Sequence, residues 1–232
     1  MSPPRTKNRV QRAARAALIA CALLAGARAL ADAEPIRVDG LAAVVGGEGP
    51  APGSEVILRS DVELRARIID AGLHAAPLSL DPIPSAMLTA ALNEIIGEHL
   101  IAREAKRVQA ANPSGADVER ERRQLVRSAG GSERMAALLA LLGAPSEELD
   151  VIAKRRAQVG AFLSANLEGV TVVTDSQLQR ALDAAKQTDP RDPAILRGEL
   201  RAKLAREALD RTIERWVTVL RSRTPLRIYA QY

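Results

Sequence analysis

Four aromatic side chains serve the whole chain: Phe162, Trp216, Tyr229 and Tyr232. Hydrophobic residues nevertheless make up 47% of 232 residues, which is enough for a sizeable core and excludes a disordered tail. With so few rings, that core has to be assembled from Ala, Leu, Ile and Val. This mixture, with abundant Arg and Glu, favours helices and points to a mainly α fold.

A formal charge of +5 suggests an affinity for nucleic acid, but its distribution removes the suggestion. Residues 1–33 hold six of the 33 basic side chains and one of the 28 acidic ones, leaving 27 of each in the rest. The body is formally neutral, and no nucleic-acid partner is expected. The basic end has the layout of an export signal. "RTKNRVQRAAR" is a positive leader, "AALIACALLAG" an uncharged apolar run, and Ala31, Asp32 and Ala33 offer small residues for cleavage before Glu34. The run falls short of the ~20 apolar residues that span a bilayer. An exported, periplasmic mature chain starting at residue 34, with no integral span, is therefore expected.

Cys21 is the only cysteine, and Leu18-Ile19-Ala20-Cys21 resembles a lipoprotein box. Lipidation there is the minor alternative, because Arg15 leaves little apolar length before Cys21. Cleavage before Glu34 removes every thiol, so the mature chain would form no disulfide.

Two β-rich runs, residues 36–45 and Glu55–Leu58, flank the glycine- and proline-rich "GGEGPAPG" and predict a hairpin with a long connection. Ser60, Asp61, Val62 and Glu63 fit a capping box that would open a helix over 61–72. Helices are then expected over 84–109, over 117–128 capped by Ser114, over a short stretch capped by Ser132 and stopped by Gly143, and over 147–166 capped by Ser146. "GVTVV" reads as extended. Thr174 and Gln177 form a second capping-box candidate before a helix over 175–186. The last helix starts at Pro193 with Asp192 as cap and runs to about Ser222, where Pro225 stops it. "LRIYAQY" reads as a terminal strand. An isolated hairpin is marginal in water, so this strand is expected to pair with the N-terminal one and form a small sheet.

No catalytic or metal constellation stands out, and no cofactor is expected. His74 falls in a loop, and His99 sits beside an apolar helical stripe, where a hydrogen-bonded, partly buried imidazole is the plain reading. "GGEGPAPG" carries Glu48 and is followed by Glu55, which would repel phosphate. "DVERERRQLVR" reads as a solvated helix face with a Glu119–Arg123 pair. Asp189 and Asp192 lie in a proline-broken link, and Asp192 serves better as a cap than as an acid catalyst.

The order of these parts is similar to one family. "VDGLAAVVGGEG" followed by "SEVILRSDVELRARI" resembles the mature start of SurA-type periplasmic chaperones, where an extended run leads into an acidic helix start. "LNEIIGEHLIAREAKR", the step Gly143-Ala144-Pro145-Ser146-Glu147-Glu148-Leu149, and "VTVVTDSQL" resemble that family's middle and the exit from its N-terminal domain. "WVTVLRSRTPLRIYAQY" resembles the helix and strand that fold back onto that domain. The likeness covers residues 36–232 and is carried by order and spacing.

The resemblance implies a helical SurA N-domain-like module over 34–232, closed by 193–232. In the family, parvulin-type prolyl isomerase domains lie between the last two helices. Here that interval is only 181–196, so the resemblance implies a non-enzymatic chaperone-like protein without an isomerase unit. Its partners would be unfolded or extended outer-membrane or secreted polypeptides, held without ATP; which residues hold them is not readable. A structural or interaction subunit of the cell envelope is the alternative, and a true prolyl isomerase is implied by the family name alone. Met87 and Met135 are the only methionines expected in the mature chain, so any groove would be lined by Leu, Ile, Val and Ala.

Overall fold

The computed structural model describes residues 39–74, 76–110, 112–167, 172–185 and 193–232. Strands β1 (Leu41–Val45) and β2 (Glu55–Leu58) pair antiparallel, as the sequence predicts from residue 41 onward; 36–38 lie outside the described residues. Strand β3 (Leu226–Ile228) pairs antiparallel with the other edge of β1, giving the order β2-β1-β3. The expected joining of the two ends is thus present. An irregularity in β1 near Ala42 lets its carbonyl accept from both Tyr229 N (2.9 Å) and Ala230 N (3.1 Å), which extends the junction past β3.

Seven helices stand among the described residues: α1 (Arg59–Leu73), α2 (Ser85–Arg107), α3 (Gly115–Ser128), α4 (Ser132–Leu142), α5 (Glu147–Asn166), α6 (Asp175–Ala185) and α7 (Pro193–Arg223). The chain is mainly helical with a small sheet.

The start of α1 corrects the sequence reading. Ser60 is not the cap: the helix leaves β2 directly at Arg59, and Asp61 Oδ2 accepts from Leu58 N at 2.8 Å. The Ser60 hydroxyl is bonded to Asp39, and its amide donates to the same carboxylate at 3.3 Å. Glu63, expected to reach back to Ser60, pairs with Arg67 at 2.9 Å. An acceptor twenty-one residues upstream therefore displaces the local cap. Two further caps differ. Gly131, at φ 116°, occupies the position before α4, so Ser132 is its first residue, and the Ser146 side chain makes no cap bond. Two others agree. Ser114 Oγ accepts from Asp117 N at 3.2 Å, and its helix opens two residues earlier than expected, at Gly115. Thr174 Oγ1 accepts from Gln177 N (3.3 Å) while Gln177 Oε1 accepts from Thr174 N (2.9 Å). The link carrying Asp189 and Asp192, most of "GVTVV" and Cys21 lie outside the described residues.

Three apolar clusters hold the fold. In the first, Ala43, Val45 and Ile57 of the sheet meet Val62 of α1, Ile96 and Leu100 of α2, Phe162 of α5 and Leu220 of α7. The second joins Leu64 and Ile68 of α1 to Leu125 of α3, Leu138 of α4 and Ile152 of α5. Helix α1 lies between these two clusters, giving Val62 and Ala66 to one and Leu64 and Ile68, on the nearly opposite face, to the other. The third is a separate helical hairpin, in which Leu178 and Leu182 of α6 meet Leu196 of α7, with Leu200 beside them. The 31 residues of α7 span roughly 46 Å. Its first turns thus belong to the α6 hairpin, and its last turns to the first cluster. There Trp216 stacks on Phe162 with ring centroids 5.2 Å apart.

Candidate functional site

A buried charge network separates the two larger clusters. Arg65 of α1 is only 2% exposed. Its Nη1 and Nη2 donate to Glu98 Oε1 (2.8 Å) and Oε2 (3.0 Å), and Nη1 also reaches Glu94 Oε2 (3.1 Å). Burial alone would raise the Glu98 pKa. The Arg65 hydrogen bonds, with the charges of Arg65, Arg155 and Arg156, overcome it and hold the carboxyl below its ordinary value. Removing one member of such a pair strands the other, at about 3–5 kcal/mol.

His99 belongs to the same network, buried and bonded through both ring nitrogens. Arg155 Nη1 lies 2.9 Å from His99 Nε2. Guanidinium can only donate, so Nε2 accepts, and the ring proton sits on Nδ1, 2.5 Å from Glu55 Oε2. Glu55 also holds Lys106 at 3.0 Å. Burial opposes ionisation of Glu55, but its hydrogen bonds to His99 and Lys106, with the charge of Lys106, prevail and lower its pKa to about 2. This imidazole is held as a strut between β2, α2 and α5, in keeping with its plain reading. His74 caps the end of α1, exposed, with Nδ1 2.9 Å from Asp70. Glu119 and Arg123 form the expected exposed pair at 3.4 Å. Among the described residues, no group of three or more His, Cys, Asp or Glu could hold a metal ion. Nor is any described helix long and apolar enough to cross a membrane.

Two clefts flank α2. One, of about 950 Å³, lies where the ends of α2 and α7 meet the β1–β2 loop. Three of its four cations are already engaged: Arg103 donates to Gly53 O at 2.7 Å, Lys106 pairs with Glu55, and Arg107 with Glu104 at 2.7 Å.

The other, of about 720 Å³, runs between α2, α5 and the second half of α7, with Glu121 of α3 at one end. Its floor is apolar: Ile101, Val159, Leu163, Ile213 and Val217. Gly160, in the interior of α5, lines it too, and a Cβ added there would meet nothing within 4 Å. A mid-helix glycine costs about 1 kcal/mol relative to alanine. Packing does not require this one, so the open wall is a property of the cleft and not of the fold. Met135 is buried in the second cluster and Met87 packs on the first, so the cleft is lined without methionine.

Val159 and Leu163 of α5 and Ile213 of α7 recur at the apolar helical spacing that the sequence displays. The cleft itself is not legible there, since four helices separated in sequence build it. Comparison with known proteins adds no identity: no family model fits the chain, and no curated protein matches it significantly.

Proposed function

We propose that the protein is an exported, non-enzymatic, chaperone-like module that holds unfolded or extended segments of outer-membrane or secreted proteins without ATP. The observation that carries this reading is the 720 Å³ cleft, with its aliphatic floor and the unfilled wall at Gly160. The order of sequence elements resembling SurA-type chaperones supports the same reading. Holding would act by mass action, as occupied apolar segments are withdrawn from aggregation.

The test is light scattering of an unfolded outer-membrane β-barrel diluted from denaturant. Suppression without nucleotide is expected, and Gly160→Trp, whose Cβ would meet nothing within 4 Å and whose ring would occupy the cleft, should remove most of it. Failure at several-fold excess would leave the alternative of a subunit docked to one fixed partner.

Prolyl isomerisation is not part of this proposal. The X–Pro barrier is ~18–20 kcal/mol, and lowering it requires a shaped pocket for the twisted amide. Only residues 186–192 separate α6 from α7, far too few for an isomerase domain. A protease-coupled peptide assay should read background.

A further inference from the structure

The cleft is acidic as well as apolar, and the charge is arranged unevenly. Five carboxylates line it, from Glu94 and Glu98 of α2, Glu121 of α3, and Asp210 and Glu214 of α7, against one cation, Arg156. Three of the five are already answered by the fold. Glu94 and Glu98 are held by Arg65, and Glu121 lies 3.4 Å from Arg156 Nε. Asp210 and Glu214 are exposed and form no ion pair among the described residues. They stand one helical turn apart on α7, flanking Ile213 of the floor, so the two free charges lie directly beside apolar surface.

Resting on the client-binding reading above, we infer that this cleft selects segments in which Lys or Arg alternates with aliphatic or aromatic side chains. The apolar groups would lie on Ile213, Val217 and Leu163, and the cations would meet Asp210 and Glu214. Anionic segments of equal hydrophobicity would be rejected, because a carboxylate on that wall meets two unanswered carboxylates at short range. The wall from Ala90 to Ile101 is roughly 16 Å long. That accommodates roughly five residues of extended chain.

Selection of this kind predicts salt sensitivity. The two charges are solvent-facing, and a Debye length of ~10 Å at 0.1 M salt, shortening to ~3 Å at 1 M, screens them. The apolar part of the binding survives that screening.

The experiment uses the full chain and a set of dye-labelled peptides sharing one aliphatic framework, with Lys, Glu or Ser at the same alternating positions. Binding is read by anisotropy and by Trp216, the only tryptophan, which lies between the floor residues Ile213 and Val217 in α7. The Lys peptide should bind roughly tenfold more tightly than the Glu peptide at low salt, as expected for two exposed pairs. The difference should shrink at high salt and disappear in Asp210→Asn/Glu214→Gln. It should reverse in Asp210→Lys/Glu214→Lys, and Gly160→Trp should weaken all three peptides.

Equal binding of the three peptides overturns the charge selection while leaving client holding intact. Binding that ignores Gly160→Trp places the peptide elsewhere and also overturns it. Selective Lys-peptide binding without any suppression of barrel aggregation keeps this inference and removes the chaperone reading.

Discussion

At the scale of single residues, two glycines in helices make opposite demands. Gly72 lies in the last turn of α1, where an added Cβ would stand 1.9 Å from the Ser128 carbonyl oxygen of α3. That oxygen is backbone and cannot swing away, so α1 and α3 meet there only because the side chain is a hydrogen. Gly160 faces open space. Helix propensity favours Ala over Gly by about 1 kcal/mol at both sites. At Gly72 the clash outweighs this gain, since overpacking a rigid contact costs about 1–3 kcal/mol or more. Gly72→Ala should therefore lower the urea midpoint, and Gly160→Ala should raise it, by about 0.5–1 kcal/mol equivalent. If the two variants shift in the same direction, the assignment of one glycine to packing and the other to the cleft fails. Neither role is legible in sequence, where both are single glycines within a helical pattern. The difference lies in what stands opposite, and that is set by other helices.

At the scale of elements, the hairpin is tied to the helices through Glu55. Its carboxylate closes a chain from Lys106 through His99 to Arg155, joining β2, α2 and α5. In the folded chain this carboxyl gives up its proton at about 2; its ordinary value is 4.5. Between these pH values the unfolded state binds more protons, so stability is fully present above about 4.5 and drains away as pH falls toward 2. Glu55→Gln keeps an acceptor for His99 Nδ1–H but cannot ionise. It should be less stable than the parent at neutral pH and should lose less stability across that acid window. Urea midpoints at a series of pH values measure both. Parallel acid slopes for the two proteins would show that Glu55 is not a stabilising carboxylate. This network also marks where element-level reading stops. The boxes at Ser114 and Thr174 were legible because donor and acceptor lie three residues apart. The start of α1 was misread because Asp39 supplies its acceptor from across the hairpin. Glu55 read only as a charge that would repel phosphate, and its partner His99 is forty-four residues away. Asp210 and Glu214 carry no signal of their own in sequence, because the α2 and α5 walls that face them are distant along the chain.

At the scale of the whole molecule, the last residues complete what the first described ones begin. Pairing of β3 with β1 gives β1 a partner on both sides, and Ala43, Val44 and Val45 are fully buried as a result. Leu226, Ala230 and Tyr232 pack on the first cluster, and Gly46 N donates to Pro225 O at 2.8 Å. The sequence could forecast this union because an unpaired hairpin needs a third strand, and one strand-like segment stood at the other end. Removing residues 225–232 would strip β1 of one edge and uncover part of the aliphatic core. With few aromatic rings elsewhere to compensate, the loss should be about 3–5 kcal/mol. For a domain of this size that lowers the melting temperature by about 6–20 °C. It should also loosen the end of α7, where Leu220 and the Trp216–Phe162 stack hold the cleft wall in place, so Trp216 emission should shift to the red before global unfolding. Replacing Arg227 alone with Ala should do neither, because its side chain is exposed and the backbone pairing with Val44 survives the change. A truncated chain that melts with the parent, with unchanged Trp216 emission, would mean that the tail does not close the fold and that the cleft wall is held by α2 and α5 alone.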